Sequence, residues 1–227
     1  IEDAQDSAGI LVDGADAAVT DALELGSRTG VQTWAITVEN LTPDTGEGGA
    51  QVFSPPILAT HRGKGVIYRM NQFASPELAG VAEDALNGPL VDALSANSRV
   101  YQVVGGDAAI APGASATYMV ESEQMGLRLS AAFMLVNTND AFAGVNSVRL
   151  PRSGSAVYQL YALDAGSEEN TELVGDIPGP CCDGAGNGTP TRERIHLHEG
   201  IQGIGDLDVD KWGWTGPVAT LTIEAID

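Results

Sequence analysis

Residues 133–170, FMLVNTNDAFAGVNSVRLPRSGSAVYQLYALDAGSEEN, constrain the fold more than any other stretch. Two apolar runs, 133–136 and 157–163, each stop at a cluster of oxygen-bearing side chains. The first cluster is Asn137, Thr138, Asn139 and Asp140; the second is Asp164, Ser167, Glu168, Glu169 and Asn170. Strands that end in carboxylate loops at one end of a sheet can hold a hard cation, because calcium takes six to eight oxygens from carboxylates and carbonyls. The pattern predicts a β-sandwich with such a site at one end.

The rest of the chain supplies the frame. In VQTWAITVENL, Trp34, Ile36 and Val38 share one face, and Thr33, Ala35 and Thr37 the other, as in a half-buried strand. QVFSPPILATH is apolar but holds Pro55 and Pro56, which predicts an edge strand or a strand with a break. Residues 66–70, 100–104, 116–121, 127–136, 157–163, 194–198 and 218–226 complete the expected strands. Ser75-Pro76-Glu77 predicts a helix start: a capping hydroxyl, a proline at the first helical position and an acid in the first turn. Its buried side would be Leu78, Val81, Ala82 and Leu86, with Asn87-Gly88-Pro89 ending it and a further helical turn over 90–94. Many short strands, Gly/Pro turns and no βαβ alternation point to an all-β antiparallel sandwich with one or two short helices in its loops. Residues 1–30 are rich in Ala, Asp and Gly without a convincing apolar stripe, and read as an N-terminal arm with one short helix near 17–25. The domain proper is then 31–227.

Charge narrows the function. The net charge is -20, and Lys64 and Lys211 are the only lysines. Such a surface repels nucleic acid and anionic lipid and favours cations. No apolar stretch approaches the roughly 20 residues of a membrane span. The chain starts at Ile1 with no basic and apolar leader, so the expectation is a secreted protein from which any signal peptide has been removed or left out. The adjacent Cys181 and Cys182 cannot join distant strands within one chain, and a vicinal disulfide is the preferred reading over free thiols or an intermolecular bond.

Six separated phrases fall in an order that resembles the spondin domain: VENLTP, FSPPILATH, ASPELAGVAEDALNGPL, NTNDAFAG, DAGSEEN and HLHEGIQGIGDL. That module occurs in an animal extracellular matrix protein and in many secreted bacterial proteins. The likeness spans about 31–227. It implies a C2-like sandwich, secreted, with calcium at one end. The family's two calcium motifs resemble PDW-x-x-G and DAGTDSG. They map onto 139–144, which gives Asp140, and onto 164–168, which gives Asp164 and Glu168. The chain departs from the pattern at Ala141, in place of Trp, and at Glu168, in place of the Asp of the animal proteins. The residues agree with the mapping: Asp164 and Glu168 stand four apart across a Gly-containing turn, and a cation would relieve their repulsion. Composition alone would make them solvated loop acids.

His61, His196 and His198 are the only histidines. An HxH pair on a strand points both rings to one face and could share copper or zinc, with His61 as a third ligand, although such a pair is more often inert. No nucleophile elbow, P-loop, dinucleotide fingerprint or HExxH is present, so an enzyme is not expected. Three functions remain: a calcium-stabilised module for adhesion or assembly at a cell surface or matrix, with a protein or surface component as partner; a copper- or zinc-binding protein; or a subunit of a surface filament or layer, a homo-oligomer joined through the arm.

Overall fold

The computed structural model describes residues 10–11, 30–46, 50–182, 184 and 186–226. The expected helix near 17–25 lies outside them. In chain order the elements are β1 (Ile10–Leu11), β2 (Gln32–Asn40), β3 (Ile57–His61), α1 (Pro76–Asp84), α2 (Asn87–Ser95), β4 (Val100–Gly105), β5 (Ser115–Ser122), β6 (Arg128–Met134), β7 (Ala141–Arg149), β8 (Ser155–Leu160), β9 (Leu163–Asp164), β10 (His196–Leu197), α3 (Val209–Trp212) and β11 (Ala219–Ile226). They form two sheets, β1-β8-β11-β2-β5 and β10-β9-β7-β6-β3-β4, with every pairing antiparallel. This is the all-β sandwich that the alternation predicts.

The two sheets differ in how many faces they bury. In β2, Trp34, Ile36 and Val38 point into the sandwich, while Thr33, Ala35 and Thr37 are only half-buried. They meet Leu129, Phe133 and Val145 of the opposite sheet in the main core. The six-stranded sheet also covers its outer face. Ile57, Ala59, Ala132 and Phe142 pack there against Leu78, Val81, Leu90 and Leu94 of the helices. Burial on both faces removes the period-2 signal, because both sets of side chains must then be apolar.

Several sequence expectations change, the first of them for this reason. β7, with small residues, Gly144 and Asn146, did not read as a strand, yet it is central and almost wholly buried. Of the two readings of QVFSPPILATH the strand with a break holds: Phe53 bridges Ile110 and Leu135, Pro55 and Pro56 interrupt, and β3 then pairs with both β4 and β6, so it is not an edge. Residues 66–70 form turns rather than a strand. The 157–163 run splits into β8 and β9, which lie in different sheets. At the first helix, the Ser75 hydroxyl accepts from the Leu78 N–H, as the capping pattern predicts. Ala85, in the left-handed conformation, ends that helix, and Asn87-Gly88-Pro89 opens the next one instead of stopping the first.

Candidate functional site

Four consecutive buried polar residues organise one end of the sandwich, where β6 turns into β7. Asn137 donates to the Ala50 carbonyl and accepts from the Cys181 N–H. Thr138 closes its own turn, donating to the Leu135 carbonyl and accepting from the Ala141 N–H. Asn139 accepts from the Glu172 N–H and donates to the Thr171 hydroxyl. Asp140 Oδ2 accepts from the Ser167 and Glu168 N–H groups and from the Ser167 hydroxyl. A single turn thus ties together the loops around 50, 167, 172 and 181. The sequence marks these residues as an oxygen cluster, but not as clamps, since their partners are distant in the chain.

Asp140 and Asp164 come together because β7 pairs with β9, with Ala141 opposite Asp164. Asp140 is fully buried and Asp164 nearly so. Asp164 is satisfied: Oδ1 accepts from the Gly166 N–H and Oδ2 from the Asn170 amide. Asp140 Oδ1, in contrast, is buried without a hydrogen-bond partner among the described residues. Burial first, and the neighbouring Asp164 second, push the Asp140 carboxyl up to about 6. Glu168 is pushed up to about 8 by burial, then by Glu83, Asp140, Asp84 and Asp176. Its carboxylate lies over Gly188, where any Cβ would overlap it. The three acids therefore share one region, but Glu168 also faces the acids at the end of α1. A cleft of about 230 Å³ opens beside them, lined by Asp164, Glu168, Glu169, Asn170, Glu193 and His196 among others.

The histidines do not assemble as a trio. His61, on β3, lies three strands from β9 and four from β10, which carries His196. Its ring is buried against the Ser130 hydroxyl, and burial, then Arg128 and Arg99, lower it to about 4, a backbone hydrogen bond at Arg62 opposing. His196 sits opposite Asp164, with Nδ1 3.9 Å from Asp164 Oδ1. His198 opens on a different cavity, with Tyr161 and Trp214, and its Nδ1 accepts from the Gly200 N–H. Burial lowers its pKa. His196 and His198 stay close enough to affect one another, and both neighbour Asp164, so only His61 is separated from the other two.

With this geometry in place, comparison with known families is decisive. A family model described as Spondin_N matches residues 43–174, more than half of the chain. The chain belongs to the spondin family. A search of curated proteins returns no match. The spondin match contains β3 to β9 and both acid motifs, and it ends before the HLHEGIQGIGDL phrase. No helix among the described residues is long and apolar enough to cross a membrane.

The calcium that a spondin resemblance implies can be tested against the donors present. The donors are hard oxygens, as calcium requires, and Asp140 Oδ1 is a buried carboxylate oxygen with an unused valence for a cation. Among the described residues, however, no three His, Cys, Asp or Glu side chains are gathered closely enough to form a ready metal cluster. The donor chemistry fits, while the Glu168 carboxylate lies over Gly188.

Beyond the family match, Cys181 and Cys182 form the vicinal disulfide, with Cα atoms 3.8 Å apart. It packs in a small satellite cluster with Ile177, Ile201, Leu207, Trp212 and Trp214. The two tryptophans thus cap the sandwich end. Glu172, also missed in the sequence, is buried with a left-handed backbone, and its carboxylate accepts from the Gln202 and Ile204 N–H groups.

Proposed function

We propose that this spondin domain is an extracellular calcium-binding module, non-enzymatic, that serves adhesion or assembly at a cell surface or matrix. The observation that carries the reading is the orphaned Asp140 Oδ1 beside buried Asp164. Two buried carboxylates are costly without a cation, since each loses its water and repels the other. In this reading Asp140 and Asp164 supply the principal oxygens. Glu168, whose N–H already bonds Asp140, supplies the third. Calcium would contribute the positive charge that lets all three ionise. The clamped loops at 50, 172 and 181 would then be fixed as one surface. Equilibrium dialysis tests this. The wild-type protein should take up one calcium per chain in preference to magnesium, and Asp140→Asn and Asp164→Asn should each lose it. Equal uptake by all three proteins contradicts the assignment.

The acids also set a pH dependence. In the calcium-free protein the Asp140 carboxyl is raised to about 6 and the Glu168 carboxyl to about 8, from ordinary values of 3.8 and 4.5. A raised carboxyl gives stability that is full below its unfolded pKa and is lost as pH rises through its folded pKa. Calcium-free protein should therefore lose melting temperature between pH 4 and pH 8, relative to an Asp140→Asn/Glu168→Gln variant. His61 has the opposite sign, because its lowered pKa costs stability as pH falls from 6.5 towards 4. The comparison with the variant cancels that contribution. Saturating calcium should remove the slope, because the ion binds the deprotonated acids. Parallel melting profiles for the two calcium-free proteins contradict the prediction.

A further inference from the structure

Next to the bond between Asn139 and the Glu172 N–H, two loops meet and leave four large apolar side chains in solvent. Leu173 and Val174 stand on one loop, Ile204 and Val209 on the other, each between 41% and 70% exposed. The loops are held in backbone contact. The Glu172 carboxylate accepts from the Gln202 and Ile204 N–H groups, and the Glu172 carbonyl accepts from the Asp206 N–H. Asp206 Oδ2 in turn accepts from the Val174 N–H. A Cβ at Gly205 would overlap the Thr171 and Glu172 carbonyls, and a Cβ at Gly203 would lie 3.1 Å from a Val209 methyl carbon. Val174, Ile204 and Val209 therefore sit at one junction, with Leu173 beside them.

Single exposed apolar residues are ordinary on a protein surface, whereas a group of them marks a contact surface. This group is also fixed in shape. Glu172 holds a left-handed backbone, φ 55°, uncommon outside glycine, and its buried carboxylate pins the loop that carries Ile204. A surface ordered before binding loses less entropy on docking. The rim is acidic: Asp176 follows Val174, Asp206 follows Ile204, and Asp208 and Asp210 flank Val209. Residues 153–191 and 195–210, which contain both loops, carry ten acids and no Lys or Arg. Among the described residues, none of Asp176, Asp206, Asp208 and Asp210 forms an ion pair. Lys211, next in sequence, lays its ammonium over the Trp212 ring, 4.5 Å from the centroid.

We propose that this tip docks a partner protein through a segment that presents apolar side chains between lysines or arginines. The apolar group supplies the buried centre of such a contact, and the aspartates its charged rim. The acidic rim and the net charge of -20 attract a basic partner, and repel both a second copy at this end and an anionic lipid surface. None of the four apolar residues is a proposed calcium ligand, so docking can fail while the calcium reading stands.

Fluorescence anisotropy with a labelled peptide of alternating leucine and lysine, in EDTA, tests the proposal. The wild-type protein should bind it, and should bind an all-lysine peptide of the same charge about tenfold more weakly. Ile204→Ser/Val209→Ser should lower affinity for the leucine–lysine peptide about tenfold, the worth of burying two partly exposed apolar side chains. Leu173→Ser/Val174→Ser, on the other loop, should behave alike, and both variants should melt like wild type because the side chains they change are exposed. Met119→Ser/Val157→Ser removes two comparably exposed apolar side chains from β5 and β8 and should bind like wild type. No binding by wild type, equal binding of the all-lysine peptide, or binding by the tip variants as strong as wild type overturns the proposal. Binding to phosphatidylserine vesicles, or self-association in sedimentation that the tip variants abolish, overturns the partner class.

Discussion

Chelation of calcium with EDTA lowers the melting temperature of the wild-type protein by roughly 5–10 °C at neutral pH, and Asp140→Asn removes the difference. The magnitude follows from linkage. A ligand held at a hundred times its dissociation constant stabilises the folded state by about 2.7 kcal/mol, and a domain of this size shifts by about 2–4 °C per kcal/mol. The effect runs through Asp140 because its Oδ1 is a buried carboxylate oxygen without a hydrogen-bond partner among the described residues. Asp164 already has a hydrogen bond on each oxygen, so Asp164→Asn should also lower stability in EDTA. Differential scanning calorimetry with and without EDTA measures both. A wild-type melting curve that EDTA does not move removes calcium from the account.

Gly144→Ala destabilises the protein by about 3 kcal/mol or more, at the upper end of what overpacking costs, because the neighbour is backbone rather than a movable side chain. Gly144 stands opposite Ala132 on the central strand pair, and a Cβ there would overlap the Ala131 carbonyl. Relief requires β6 and β7 to separate, which would disturb both cores and the Tyr68 hydroxyl bond to the Gly144 carbonyl. Gly88→Ala is the control. It lies in the first turn of α2 with nothing within 4 Å of the new Cβ, so it should be neutral or gain up to about 1 kcal/mol. Urea unfolding gives both values. Equal midpoints for Gly144→Ala and wild type would show that β6 and β7 are not packed this closely.

How far the sequence could be read follows the same physics. β2 was legible because one face is buried and one is not, so Trp34, Ile36 and Val38 stand out by alternation. β7 was not, because its small residues are buried on both sides and carry no period. The convergence of Asp140 and Asp164 was legible, since each closes or follows an apolar run at the same sheet end. The direction of Glu168 was not: it depends on Gly188, twenty residues later in an irregular loop. The histidine trio misled because proximity depends on sheet order, and β3 and β10 lie on opposite sides of β6, β7 and β9. The helix start at Ser75 was readable locally, whereas the helix end was not, because a left-handed Ala85 leaves no sequence mark.

The most direct measurement is a crystal structure of the protein grown with calcium. The account predicts one ion bound by Asp140 Oδ1 and an Asp164 oxygen at about 2.3–2.6 Å, with the Glu168 carboxylate turned away from Gly188 to complete the shell. Clear density for an uncoordinated Asp140, with calcium present in the crystal and absent from this end of the sandwich, would contradict it.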